Sequence, residues 1–182
     1  AVTDHNHTGN IEAVWTAAKG SGLHVIPGME IQSKEEVHLL CLFDEIDQAR
    51  ALQAKVDQNL PDLSNNAELF GNQLFVDHAG DFVSSEERLL LTSVNLSVNE
   101  IWDQVTKLEG LVMPAHVDRS VNGMIPILGF IPPDIAYPAI EISRNLSISG
   151  AHQRYPQLRN YTLTIGGDAH RLDDILGASQ LN

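Results

Sequence analysis

Histidine and carboxylate side chains recur in this chain at or just after the ends of short apolar runs. These positions are His5, Glu30, His116, Asp168 and His170. His38 is an exception, because it lies near the start of its run, VHLLCLF. Neutral imidazoles mixed with carboxylates suit Zn, Mn or Fe ions, and such ions can turn a bound water into a nucleophile.

The apolar runs are short and alternate with helical patterns. Buried strands are predicted at residues 23–31, 37–43, 111–116, 139–143 and 162–170. Helices are predicted over residues 10–20, 45–60 and 98–110, with Asn10 capping the first and Ser97 with Glu100 forming a capping box for the last. This alternation indicates a parallel sheet covered on both faces. Side chains at the carboxyl ends of parallel strands converge, so the candidates are expected to meet in one site.

Each candidate also has a purely structural interpretation. An Asp or Glu after a strand commonly caps the next helix or faces solvent. A His flanked by apolar residues, as His38 is, can be a hydrogen-bonded core residue. Asp168 and His170 are two residues apart, as are His5 and His7, so on a strand each pair would share one face. Spacing alone leaves these interpretations open.

Composition limits the classes of protein that the chain can represent. The 182 residues, 43% of them hydrophobic, suffice for a single domain over residues 1–182, with residues 61–91 as an irregular excursion within it. No apolar run is long enough to span a membrane. The single Cys41 excludes an internal disulfide and suits a reducing cytoplasm. A net charge of -13 argues against a nucleic-acid-binding surface.

Five motifs occur in an order that resembles the PHP family, named for polymerase and histidinol phosphatase. They are TDHN, IPGMEI, EVHLLCLF, PAHVDR and GGDAHR. The resemblance implies an α/β fold, a distorted seven-stranded β/α (TIM-like) barrel, with a trinuclear metal site that hydrolyses phosphate esters. Family members carry a His-x-His strand before the TDH motif, whereas this chain begins at AVTDH. We therefore interpret it as an N-terminally incomplete PHP protein that lacks the first strand region, and expect impaired catalysis from the chain as given.

The resemblance implies six ligands for up to three divalent transition metals, which would be Zn, Mn or Fe. They are Glu30 bridging the first and second metals, His38 and His116 on the second, Asp168 on the first, and His5 with His170 on the third. Asp4 is expected to orient a ligand His, and His7 to neighbour the site without binding metal.

Arg119 is the candidate catalytic residue, because a guanidinium group binds phosphate oxygens bidentately. A surface ion pair between Arg119 and Asp118 is an equally supported alternative. Arg144 and Arg171 are lesser candidates for the same role. Glu141 is expected either to point into the barrel or to pair with a neighbour.

The leading hypothesis is a metal-dependent phosphoesterase that hydrolyses a small phosphorylated metabolite or nucleotide with a metal-activated water. An amidohydrolase-like metallohydrolase is an alternative, since that class also gathers His and Asp at strand ends. A non-catalytic PHP module that binds metal or a partner protein is another. The expected partner is a small phosphorylated substrate, with no role for a membrane or for nucleic acid larger than a nucleotide.

Overall fold

The computed structural model describes residues 1–175 of the chain. In this part of the chain the α-helices are α1 Ile11–Ala17, α2 Ile46–Asn59, α3 Ala67–Phe70, α4 Val98–Lys107, α5 Met124–Leu128 and α6 Ile148–Arg154. The strands are β1 Gly28–Gln32, β2 His38–Leu42, β3 Leu74–Val76, β4 Phe82–Ser85, β5 Leu111–Pro114, β6 Ile140–Ser143 and β7 Leu163–Gly166. Two short 3₁₀ helices cover Pro156–Asn160 and Leu172–Asp174.

The strands form three small sheets. Strands β1, β2 and β5 form an antiparallel sheet in that order, β3 and β4 form a hairpin, and β6 and β7 pair in parallel. The predicted parallel sheet closing into a seven-stranded β/α barrel is therefore wrong, and no sheet within residues 1–175 is closed. The link between β1 and β2 shows the reason. It has only residues 33–37, and a parallel crossover needs a dozen or more.

The two faces of the antiparallel sheet differ in character. Met29 and Ile31 of β1 and Leu39 and Cys41 of β2 are fully buried on the face that packs on the core. Because successive side chains of a strand point to opposite faces, Glu30 and the residues level with it project from the other face. Burial also raises the pKa of the Cys41 thiol, which keeps it protonated and unreactive.

Of the two helix caps predicted from the sequence, one forms and one does not. The Ser97–Glu100 capping box at the start of α4 is confirmed, with the Glu100 carboxylate accepting from the Ser97 backbone N–H at 2.8 Å. Asn10 makes no cap hydrogen bond for α1. Its amide group instead donates to Asp4 Oδ2 at 2.9 Å and accepts from the Val76 backbone N–H at 3.1 Å. Asn10 thus joins the N-terminal segment to the β3–β4 hairpin.

Residues 61–91 contain α3 and the β3–β4 hairpin, and most of their side chains are exposed. Only part of the strand predicted at 23–31 forms, because Leu23 is exposed and regular pairing begins at Gly28. None of the helices in residues 1–175 has the length and apolar character needed to cross a membrane.

Candidate metal centre

The antiparallel pairing explains why His38 sits at the start of its strand. His38 is paired with Gln32 at the end of β1, and Glu30 lies two residues before Gln32 on the same face. Strand β5 also runs antiparallel to β2, so its carboxyl end lies beside the start of β2. His116, two residues beyond the end of β5, therefore arrives at the same edge of the sheet.

His5 reaches this edge through the N-terminal segment. His5 forms an isolated parallel bridge with Glu30, and the next backbone N–H, from Asn6, donates to the Glu30 carbonyl at 2.9 Å. Asn6 is fully buried at φ 50°, and its side-chain amide donates to the carbonyls of Leu90 and Thr92 at 2.8 and 2.7 Å. Asn6 thus fixes His5 against β1.

The carboxylate of Glu30 contacts three imidazole rings. Its Oε2 lies 3.2 Å from His5 Nδ1, and its Oε1 lies 3.2 Å from His38 Nδ1 and 3.8 Å from His116 Nε2. The His38 Nδ1 and His116 Nε2 atoms are themselves 3.2 Å apart. Glu30, His38 and His116 are almost fully buried. One oxygen of Glu30 thus faces His5 and the other faces His38 and His116, as is required of a carboxylate that bridges two metal ions.

These separations fit a metal ion. Ligand atoms about 2.0–2.1 Å from a tetrahedral Zn²⁺ are about 3.4 Å from one another by geometry. The three distances among Glu30 Oε1, His38 Nδ1 and His116 Nε2 span 3.2–3.8 Å, close to that value. The donor set of two imidazoles and a carboxylate suits Zn, Mn or Fe.

Asp168 extends the cluster from the other sheet. One ligand atom each from Glu30, His116 and Asp168 lie within 4.8 Å of one another, as do those of His5, Glu30 and His38. Asp168 and His116 both have positive φ, at 43° and 31°. Non-glycine residues rarely adopt this conformation, and it concentrates at functional sites.

His170 lies beside the cluster but outside both groups. Its ring centroid is 5.8 Å from that of His5, and its Nδ1 lies 2.9 Å from the backbone carbonyl oxygen of Asp168. A carbonyl oxygen only accepts, so Nδ1 is the donor in this contact, and Nε2 is the ring nitrogen that remains available to a ligand. The ring is largely exposed.

Arg119 pairs with Asp168, and Asp118 has a different partner. The Arg119 guanidinium donates to Asp168 Oδ2, joining the loop after β5 to the loop after β7. Asp118 instead accepts from the backbone N–H and the hydroxyl of Ser143, at 2.7 and 2.6 Å. The alternative ion pair between Arg119 and Asp118 is therefore absent from the described structure.

Glu141 supports His116 from β6. Its Oε1 accepts from the His116 backbone N–H at 3.2 Å and lies 3.6 Å from His116 Nδ1, a buried atom with no hydrogen-bond partner among the described residues. Gly166 makes room for this carboxylate, since a Cβ at that position would lie 2.0 Å from Glu141 Cδ. The sequence alternative of pairing with a neighbour is the one that Glu141 adopts.

The cluster also shifts the protonation of its members. Burial, together with the charges of His38 and His170, lowers the pKa of His5 by more than Glu30 and Asp168 raise it, which favours the neutral imidazole that binds metals. Burial alone would raise the pKa of Glu30. The hydrogen bond from His38 and the charges of the three histidines outweigh that effect, so the pKa of Glu30 lies below its usual value.

Two cavities flank the Arg119–Asp168 pair. The first has a volume of about 330 Å³ and is lined by residues that include His5, Gln32, His38, Arg119, Asp168 and His170. The second has a volume of about 270 Å³ and opens between the ends of β6 and β7. The first cavity contains the candidate ligands that are open to solvent, so it is where a substrate would meet a bound metal.

Some residues near the candidate metal centre make contacts that differ from those predicted from the sequence. His7 lines neither cavity, and its ring packs on Phe75 with a centroid distance of 4.5 Å. Asp4 bonds to Asn10 rather than to a ligand histidine. The sequence reasoning missed Asn6 and Gln32, whose Oε1 lies 3.4 Å from His38 Nε2. Asn6 stands in the TDHN motif, but its buried hydrogen bonds go to residues more than 80 positions away, and the contact of Gln32 depends on the antiparallel register.

Comparison with known proteins gives a structural likeness. No family model matches the chain, and no curated protein does. The lesion-specific endonuclease PfuEndoQ from Pyrococcus furiosus is similar with a TM-score of 0.55 at 18% identity, covering 79% of this chain and 30% of that one. A complex of endonuclease Q with a 27-mer duplex substrate bearing an abasic lesion at its active site has a TM-score of 0.53 at 20% identity, covering 79% and 31%. At these identities the likeness shows a shared fold, and the chain spans about a third of those proteins.

This finding corrects the expected partner. The sequence predicted a small phosphorylated substrate and argued against nucleic acid, and that prediction is wrong, since the similar structures are endonucleases and one holds a duplex. The net charge was a poor guide to the partner, because acidic and basic residues are unevenly distributed along the chain. Residues 116–175 carry five Arg against six Asp and Glu, whereas residues 1–115 carry 18 acidic and six basic side chains. Residues 116–175, which include every residue that lines the second cavity, are thus far less acidic than the whole chain.

Proposed function

We propose that this chain is the metal-binding part of a nuclease that hydrolyses a phosphodiester bond of nucleic acid with a metal-activated water. The observation that carries the proposal is the contact of one buried carboxylate, Glu30, with the rings of His5, His38 and His116. The likeness to endonucleases supports the substrate class. The ordered PHP-like motifs support membership of that family, since a residue from each motif lies at this cluster.

The residues present suit more than one ion. Glu30 Oε1, His38 and His116 would hold one, and Glu30 Oε2 with His5 would contribute to another, with Asp168 and His170 on the open side of the cluster. Bound there, such ions lower the pKa of a coordinated water and offset the charge of the phosphate. The burial of Glu30, His38 and His116 excludes bulk water from the inner side of the site.

In the proposed reaction the water oxygen bonds to phosphorus and the ester bond to the leaving oxygen breaks. The water gives up one proton to solvent, and the leaving oxygen takes one up to become a hydroxyl. Arg119, on the wall of the first cavity, binds a non-bridging phosphate oxygen and stabilises the charge that develops there. Glu141 Oε1 lies 3.6 Å from His116 Nδ1, and its negative charge there would favour the tautomer with a proton on Nδ1 and leave Nε2 to bind the metal.

The test uses the full-length protein loaded with Mn²⁺ or Zn²⁺ and labelled oligonucleotides, single-stranded or duplex, with and without an abasic site. We expect strand cleavage that EDTA abolishes and added metal restores, with metal content measured in parallel. Retained metal without cleavage of any oligonucleotide would instead make the chain a non-catalytic metal-binding module. A protein that retains no transition metal would overturn the assigned ligands.

Exchange of Glu141 for Gln should weaken metal binding and leave the fold intact. The amide oxygen of Gln can still accept from the His116 backbone, but its neutral charge no longer supports a proton on Nδ1. Supporting partners of this kind contribute about 10–100-fold to metal affinity, so Glu141→Gln should raise the Kd for Zn²⁺ by that factor in calorimetry.

Glu141→Asp, which keeps the charge, should recover part of the affinity. Thermal unfolding of the metal-free proteins provides the control for folding. Equal metal affinity in Glu141→Gln and the wild type would show that Glu141 does not position His116.

A further inference from the structure

The second cavity lies outside the reaction described above. It is bounded by the loops that follow β5, β6 and β7, and its wall includes Arg119, Arg144, Asn145 and Asp168. It shares Arg119 and Asp168 with the first cavity, so the two cavities adjoin at that ion pair. A group bound in the second cavity would therefore lie next to the proposed point of cleavage.

The loop after β6 is fixed in a way that presents Arg144 to this cavity. Ser143, the last residue of β6, is tied to Asp118 by two hydrogen bonds of 2.7 and 2.6 Å. Arg144 follows directly, and its Nη2 donates to Asp174 Oδ1 at 3.0 Å. A guanidinium group has five N–H donors, so this bond leaves four for another partner.

The charge of the cavity depends on what binds Asp168. In the described structure the guanidinium of Arg119 donates to Asp168, a carboxylate that is also a candidate metal ligand together with Glu30 and His116. A metal ion ligated by Asp168 would compete with Arg119 for the same carboxylate. The released guanidinium would then face the cavity together with Arg144, and two guanidinium groups favour a phosphate.

We propose that the second cavity binds a phosphate group of the nucleic-acid strand, adjacent to the one that is cleaved. Arg144 is its principal donor. Arg119 lines both cavities, so once a metal ion occupies Asp168 its five N–H donors can reach the adjacent phosphate as well as the cleaved one. This assignment rests on the proposed nuclease function and adds a second contact with the strand. A single-phosphate substrate would leave this cavity unfilled, so the cavity favours a polynucleotide over a small phosphorylated molecule.

A consequence is that the metal and the strand bind cooperatively. If metal binding releases Arg119 for the strand, the strand must by linkage raise the affinity for the metal by the same factor. Titration of the metal with and without an oligonucleotide measures this factor without any turnover.

The decisive experiment measures the salt dependence of binding. The metal-loaded full-length protein is titrated into a labelled single-stranded phosphorothioate oligonucleotide, which keeps the backbone charge and slows cleavage, and anisotropy is followed over a range of salt concentrations. Arg144→Gln should lower the affinity about tenfold, as expected for a lost charged hydrogen bond. It should also reduce the slope of log K against log salt by about 0.7, the value for one phosphate contact.

Arg159→Gln is the matched control. Arg159 is exposed in the 3₁₀ helix that precedes β7, at the opposite end of that strand from the cavity. Arg159→Gln removes the same charge as Arg144→Gln, and we expect its slope of log K against log salt to equal that of the wild type within error.

The outcomes separate this inference from the proposed function. If the wild type cleaves DNA but Arg144→Gln leaves the salt slope unchanged, the second cavity is not a phosphate site and the nuclease proposal stands. If Arg144→Gln and Arg159→Gln change the salt slope equally, the effect comes from the overall charge of the protein rather than from the second cavity, and the inference is overturned. A protein that retains no metal and cleaves no oligonucleotide overturns the proposed function and the inference together.

Discussion

Replacement of Glu30 by Gln is expected to abolish metal binding and hydrolysis together. Glu30 is the carboxylate that contacts His5, His38 and His116 in the described structure, and each of its oxygens faces a separate nitrogen group. Gln has the same size but offers one neutral oxygen. Residues that only support a ligand contribute about 10–100-fold to metal affinity, so loss of a shared ligand should weaken binding by more than that range.

The measurement combines calorimetry with thermal unfolding. Metal at 100 times its Kd stabilises a folded protein by about 2.7 kcal/mol, so wild-type unfolding should shift upward with added Zn²⁺ or Mn²⁺. Glu30→Gln should lose this shift and its hydrolytic activity. Glu87→Gln, an exposed carboxylate outside the site, should keep both. A normal metal-induced shift in Glu30→Gln would remove Glu30 from the metal centre.

The positions of the strands were predictable from the sequence, whereas their pairing was not. The apolar runs VHLLCLF and AIEIS form β2 and β6 close to their predicted bounds. The alternation of these runs with helical patterns predicts parallel strands, but β2 pairs antiparallel with both of its neighbours. It is the central strand between β1 and β5, with one face in the core and the other under the histidine cluster. The five-residue link before β2 was the local signal for a hairpin.

The candidate residues were expected to converge because the carboxyl ends of parallel strands lie at one edge of a sheet. This reason holds for only some of them. The carboxyl ends of β5 and β7 do bring His116 and Asp168 to the site. His38 comes from the start of an antiparallel strand, which a rule about parallel strand ends cannot explain. The resemblance in motifs singled out His38 where strand geometry alone could not. The sequence left Glu141 either pointing into the barrel or pairing with a neighbour, and its contact with His116 depends on the space left by Gly166.

Replacement of Arg119 by Gln should separate hydrolysis from metal binding. Arg119 donates to Asp168, and 41% of its side chain is exposed beside the first cavity. Ion pairs this exposed contribute about 0–1 kcal/mol to folding, so the variant should fold normally. Removing one preorganised donor that stabilises transition-state charge typically lowers kcat about 10²–10³-fold, and we expect a loss of that size.

Metal affinity should move in the opposite direction. Without Arg119, the carboxylate of Asp168 has no guanidinium to compete with an incoming ion, so the Kd for Mn²⁺ or Zn²⁺ should stay the same or decrease. This combination distinguishes a residue that binds the phosphate from one that only holds two loops together, whose loss would weaken metal binding and hydrolysis in parallel. Arg159→Gln again provides the control for lost charge. Unchanged kcat in Arg119→Gln would show that Arg119 only neutralises Asp168, and that the phosphate is bound by other groups.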